Sequence, residues 1–322
     1  MMLVTASMAS PSYAGTVSFG SGINLFNMDF EIVGDPGNAA DTTGVPNPAG
    51  GVNYIFGIGK YEVSRDMVNK YNNTAGTVKI TLDSMTGLTG GTEPNKPATG
   101  ISWNEAARFV NWLNTSTGGY AAYKFETSGG NDNSVLWALT DTYDYDPSNP
   151  YRSKRATYVL PNYNEWYKAA YYDPTKTTGT DKYWDYATRS DTAPTSVASG
   201  TGDGTAVYDR SVPSGPANVN QAGGLSYYDV MGMGGNVYEV EESSFDLLNS
   251  SGTSLRALRG GHWNGGSTRL LSSTRFSVGP GVEDRDNGFR VVMVSPVPEP
   301  SGMLIATFLY IGAFIGNRQR KK

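Results

Sequence analysis

Glycine interrupts this chain so often, and with so little period, that no regular element can run far before a turn. There are 40 glycines in 322 residues. A residue without Cβ enters left-handed backbone at no steric cost, so this level without a repeat points to many tight turns and irregular loops. Between the glycines stand 21 tyrosines, 11 phenylalanines and 6 tryptophans, which carry the large apolar surfaces that a packed core needs. Length allows one large domain or two ordinary ones. No internal repeat or break in composition divides the chain, so the expectation is one loop-rich α+β domain with an aromatic core.

Charge and the missing residue types close off much chemistry. The formal net charge is -5 and no basic stripe precedes the last few residues, so no nucleic-acid partner is expected. The chain has no cysteine and one histidine. Disulfides, thiolate nucleophiles, thiolate-held metals and histidine-rich metal sites are all excluded. A Ser–His–Asp arrangement would have to use His262.

Both ends read as addresses. Residues 1–14 run from apolar to small and finish Ser12-Tyr13-Ala14 before Gly15, a spacing that fits signal-peptidase cleavage. The basic n-region is missing, so this stretch reads as a signal-peptide remnant whose start lies upstream. At the other end Val297-Pro298-Glu299-Pro300 precedes an apolar run from Met303 to Ile315, then Arg318, Arg320, Lys321 and Lys322. That order resembles the PEP-CTERM sorting signal and assigns residues 296–322 to it. The resemblance implies transient membrane anchoring, processing by an exosortase-type enzyme, and delivery to the cell envelope or beyond. As a helix, Ser301 to Gly316 would reach about 24 Å, short of the ~30 Å hydrocarbon core; the basic end would stay cytoplasmic.

Three helices have start signals. Ser64 precedes Arg65 to Tyr71 with Asp66 in the first turn. Ser102-Trp103-Asn104-Glu105 is a capping box, followed at helical spacing by Ala106, Ala107, Val110 and Leu113. A third helix begins near Asn162, with Glu165 three positions on, and buries Trp166, Ala169 and Ala170. Short β segments are expected at Leu255 to Arg259, around Leu270 to Phe276, and at Phe289 to Val294, with turns at Asn264-Gly265 and Asn287-Gly288. The polar stretch from Asp173 through Gly204 reads as loop.

Six motifs then fall in the order of a known family. Glu62-Val63-Ser64 resembles E-V-T, and Pro97 with Ile101-Ser102-Trp103-Asn104-Glu105-Ala106 resembles P-V-x-x-V-S-W-x-D-A. Leu160-Pro161-Asn162-Tyr163-Asn164-Glu165-Trp166 resembles R-L-P-T-E-A-E-W with Val159 in the arginine position. Gly234-Gly235-Asn236-Val237-Tyr238-Glu239-Val240 resembles G-N-V-W-E-W with both tryptophans replaced. Leu258-Arg259-Gly260-Gly261-His262-Trp263 resembles L-R-G-G-S-W, and Arg275 with Asn287-Gly288-Phe289-Arg290-Val291 completes the set. From about Thr16 to Val294 the chain thus resembles the formylglycine-generating (sulfatase-modifying factor) family, which implies a domain over residues 15–295. The implied fold is an irregular α+β arrangement related to C-type lectin-like domains.

The resemblance also says what is missing. The family's two copper-binding cysteines correspond roughly to Gly265 and Leu270 here, so no copper–thiolate site is expected. Relatives that use iron hold it with histidines, and one histidine cannot supply that set. A structural calcium carried over by position would take backbone carbonyls from Gly235 and Val237 and the carboxylate of Glu239. The family's further side-chain oxygen falls on Gly232, and calcium wants about six to eight oxygens. No catalytic residue is assigned. His262 reads either as a base near a cleft or as a turn residue packed beside Trp263. Arg259, Arg275 and Arg290 are expected to pair with carboxylates such as Glu62 or Glu239.

Two functions follow. One is a non-catalytic binding or structural module at the envelope, where Tyr120, Tyr123, Tyr143, Tyr145, Tyr151, Tyr171, Tyr172, Tyr183, Trp184 and Tyr186 offer rings for stacking on an exopolysaccharide or another envelope component. The other is an enzyme of the same superfamily with thiol-independent chemistry, using carboxylates such as Asp229, Glu239, Glu241 or Asp284.

Overall fold

The computed structural model describes residues 14–74, 76–89 and 91–295; the signal-peptide and PEP-CTERM readings lie outside them. Each expected helix is present and starts at its cap. In α1 (Arg65–Asn72) the Ser64 hydroxyl accepts from the Met67 amide at 3.3 Å. The α2 helix (Trp103–Ser116) has the full capping box, with Glu105 reaching back to the Ser102 amide. In α3 (Tyr163–Tyr171) Asn162 and Glu165 form the same reciprocal pair. The apolar faces are buried as their spacing requires: Trp103, Ala106, Ala107, Val110 and Leu113 on α2, and Trp166, Ala169 and Ala170 on α3. Among the described residues no helix is long and apolar enough to cross a membrane.

The strands are short. In chain order they are β1 (Gly15–Phe19), β2 (Phe26–Val33), β3 (Phe56–Gly59), β4 (Tyr158–Val159), β5 (Thr195–Ser196), β6 (Thr205–Ala206), β7 (Tyr238–Ser244), β8 (Arg256–Arg259), β9 (Phe276–Val278), β10 (Asn287–Gly288) and β11 (Val292–Met293). One antiparallel sheet runs β1-β2-β3-β11-β4. Strand β11 lies between β3 and β4, so the last described strand locks onto the first third of the chain. A second sheet runs β10-β7-β8-β9, with β10 parallel to β7 and the other pairs antiparallel. Strands β5 and β6 form a small parallel pair, with β5 inside the stretch from Asp173 to Gly204 that is expected as loop.

Two local expectations fail. Leu270 to Phe276 is mostly not strand: Ser267–Leu270 is a 3-10 turn and β9 begins only at Phe276. There the Ser272 amide bonds to the Asp185 carbonyl and the Thr274 amide to Leu271, while Leu270 is drawn into a cluster with Tyr186 and Tyr208. Asn287-Gly288, expected as a turn, is β10 itself, because the pair lies in register with Tyr238 and Glu239.

Strand β7 is buried along its whole length and carries three glutamates, Glu239, Glu241 and Glu242. Each meets arginine. Arg290 pairs with Glu239 through Nε and Nη2. Arg259 and Arg275 both bond Glu241, at 3.0 Å each. Arg152 lies between Glu242 and Glu165, at 2.7 and 2.9 Å. A carboxylate this deep is tolerable only because such forks are in place. Replacing one member strands the other charge, so Glu241→Ala should cost about 3–5 kcal/mol. Urea unfolding of the variant should show it as a lower midpoint at similar slope.

Candidate functional site

The second sheet ends in a shallow slot of about 320 Å³. After β8 the backbone turns through Gly260 and Gly261, at φ 84° and 76°, where L side chains are strained. That turn sends Trp263 inward, fully buried, its amide bonded to the Asn236 carbonyl at 2.8 Å. It leaves His262 at the surface, its ring 4.8 Å from Tyr238. Tyr238 in turn meets Phe276 edge-on at 5.5 Å. Arg269 donates to the Tyr238 hydroxyl at 2.7 Å and lies 5.0 Å over the Phe276 ring. Val282 and Asp284 form an exposed rim.

His262 and Asp286 make the slot's one pair suited to moving a proton, among the described residues. Their Nδ1 and Oδ2 atoms lie 3.2 Å apart, an ion-pair contact rather than an aligned hydrogen bond. Burial pushes the Asp286 carboxyl up, but the His262 and Trp263 side chains and the Arg285 charge outweigh it and hold the group below the usual range. His262 thus packs against Tyr238 in the turn and lies beside a carboxylate.

The two positions assigned to the family's thiols flank this slot and do not fit a copper site. A Cβ on Gly265 would lie 2.5 Å from Arg269 Cδ and 3.0 Å from the His262 ring, so the place of one thiol is filled. Leu270 is buried in the apolar cluster with Tyr186, Ala206 and Tyr208. The region is an aromatic and cationic slot where the resemblance implies a soft-metal site.

Gly235, Val237 and Glu239 lie together at the start of β7. Gly235 has φ 88°, its amide donates to Gly260, and a Cβ there would lie 2.3 Å from the Val207 carbonyl. The Glu239 carboxylate accepts from the Trp166 indole at 2.6 Å and from Arg290. As folded, the Glu239 carboxylate is engaged by a guanidinium and an indole. Opposite lies Glu62, expected among the arginine partners. It has no arginine within ion-pair distance among the described residues; the Asn236 amide donates to it at 2.7 Å. Its carboxyl also fills the space beside Gly232, where a Cβ would be 3.2 Å away. Burial first, then the Glu239 charge, pushes it up to about 8, against the pull of Arg290 and the bonds from Asn236 and Val237.

The remaining sequence candidates do not converge. Glu241 is buried under Arg259 and Arg275, Asp229 is exposed elsewhere, and only Asp284 reaches the slot. Of the proposed stacking rings, Tyr123, Tyr151, Tyr171, Tyr172, Tyr183 and Tyr186 are core, Tyr145 and Trp184 are half-buried, and Tyr120 and Tyr143 are exposed. Sequence reasoning missed Arg269, Phe276 and Asp286, which no local pattern ties to Tyr238 and His262; only the sheet register brings them together.

Residues 15–294 match the family described as a sulfatase-modifying factor enzyme 1-like domain. Among solved structures, Treponema denticola variable protein 1 superposes with a TM-score of 0.59 at 19% identity, over 88% of this chain and 99% of that one. CarF gives 0.58 at 20% identity, over 84% and 99%. PvdO from Pseudomonas aeruginosa gives 0.50 at 16%, over 88% and 100%. At these identities the likeness is one of fold. No curated protein matches the chain.

The raised Glu62 carboxyl sets a pH dependence. The folded state holds that proton more tightly than the unfolded chain, so its contribution is complete below the ordinary carboxylate range and is lost as pH rises towards about 8. Melting temperature should fall over that window, by at most about 1.4 kcal/mol of stability per pH unit. Glu62→Gln should flatten this component, as thermal melts of both proteins across the range will show.

Proposed function

We propose that this chain, which belongs to the sulfatase-modifying factor enzyme 1-like family, is an exported cell-envelope protein that uses the family fold as a non-catalytic binding module. The resemblance sets the family's thiols at Gly265 and Leu270, and one observation carries the reading: a Cβ at Gly265 would meet Arg269 and His262, while Leu270 is packed in an apolar cluster. What lies between them is an open slot whose exposed ring is Phe276, backed by buried Tyr238 and half-buried His262, with Arg269 across it. Rings with a fixed guanidinium suit recognition at a surface, by stacking and by cation–π contact. An exopolysaccharide or another envelope component is the partner class proposed for it. Export and release rest on the PEP-CTERM resemblance, with an exosortase-type enzyme as processing partner.

His262 beside Asp286 supports a second reading, an enzyme with thiol-independent proton transfer. A hydrolytic activity of the purified protein that His262→Ala abolishes would establish it in place of the first.

Two outcomes are expected of the binding module. Given copper(I), oxygen and a cysteine-containing peptide, the purified domain should form no formylglycine aldehyde by mass spectrometry; turnover would overturn the reading. In cells, replacing Pro298, Glu299 and Pro300 by alanine should hold the protein in the membrane fraction unprocessed, as fractionation and blotting will show. Unchanged processing would remove the sorting proposal.

A further inference from the structure

A second cleft, of about 660 Å³, lies between the 51–55 loop, the 146–156 segment, the start of α3 and the end of β7. It is in the size range of small-molecule sites, about 300–1,000 Å³. Its charged members are each held by the protein, and Lys154 and Asp146 at its edge are of opposite sign. Arg152 is held between Glu165 and Glu242, the Lys154 ammonium donates to the Thr142 carbonyl, and Asp146 accepts from Ser148. Nothing in that lining asks for a charged ligand.

What remains is a set of fixed hydrogen-bonding groups with one end in use. Asn164 accepts the Gly50 amide at 2.8 Å through Oδ1, and Asn249 accepts the Ser244 amide at 2.9 Å through Oδ1. Their Nδ2 groups have no partner among the described residues, so each amide is anchored by its acceptor and presents its donor. Ser243 is 97% buried by its 3% exposure; its oxygen accepts the Tyr163 amide at 3.2 Å and its own proton has no acceptor among the described residues. Above them stands Tyr54, 42% exposed, yet its hydroxyl donates to Glu165 at 2.6 Å. That bond fixes the ring while leaving part of it open to the cleft.

We infer that this cleft is a second binding site, for a neutral saccharide. A pinned aromatic ring takes the apolar face of a sugar, and anchored amide and hydroxyl donors meet its ring and hydroxyl oxygens. Such groups lose little conformational freedom on binding because their own anchors have already fixed them. The site shares no lining residue with the aromatic slot, so it stands whether or not the slot is used.

The test is calorimetric titration of the whole domain with four neutral tetrasaccharides: cellotetraose, maltotetraose, mannotetraose and chitotetraose. At least one should bind at one site per chain. Tyr54→Ala should weaken it at least tenfold. Ser148→Trp, which adds bulk at the exposed rim, should do the same with the melting temperature unchanged, so that a folding defect is not mistaken for a binding one. Absence of binding by all four sugars overturns the inference. So does binding that survives both substitutions. Binding lost only in Phe276→Ala would place the sugar in the slot, ending the cleft proposal while leaving the binding-module reading intact.

Discussion

Buried arginine–carboxylate forks are the constraint on which the rest of this structure depends. Strand β7 is fully buried, yet three of its seven residues are glutamates. In a low-dielectric interior each would be intolerable unpaired. The arginines that meet them come from distant places: Arg152 before β4, Arg259 on β8, Arg275 before β9, and Arg290 before β11. Pairing therefore fixes how these segments lie against one another, and does so through geometry that a lysine could not reproduce.

The same forks answer a question posed by the loops. A chain with so little regular structure has many backbone carbonyls without ladder partners, and buried ones need donors. Arg290 donates to the Gly59 and Met231 carbonyls as well as to Glu239. Arg259 reaches those of Val45, Ser272 and Thr274, and Arg275 those of Ser244 and Phe245. Arg256 lies between the Trp103 and Tyr151 rings, at 3.9 and 3.8 Å, while donating to the Glu242 carbonyl. Arg259, Arg275 and Arg290 are thus at once counter-ions and donors to backbone carbonyls.

Around this frame the chemistry of the surface has been free to change. The turn after β8 keeps its two left-handed glycines and its buried Trp263, which hold the sheet's end in shape. What fills the family's thiol positions is an arginine contact at Gly265 and an apolar one at Leu270. Two recesses result, a ring-lined slot at one end of β7 and an amide-lined cleft at the other.

The sequence by itself determined the local starts and stops. Ser64, Ser102 and Asn162 mark their helices because a cap and its partner lie three residues apart, within reach of any reader of the chain. It also determined what the protein cannot hold, since no fold creates a thiolate where no cysteine exists. Tertiary structure alone decided the rest. Strands of two to four residues are too short to show a period, so Leu270 to Phe276 reads as strand while Asn287-Gly288 reads as turn. The residue types mark Arg259, Arg275 and Arg290 as pairing residues and Glu239 as a partner, which Arg290 meets; they do not single out Arg152, and they point to Glu62 where Glu241 is the partner. Which carboxylate a guanidinium meets at separations of 13 to 90 positions depends on the packing of the whole domain, and the slot and the cleft are products of that same packing.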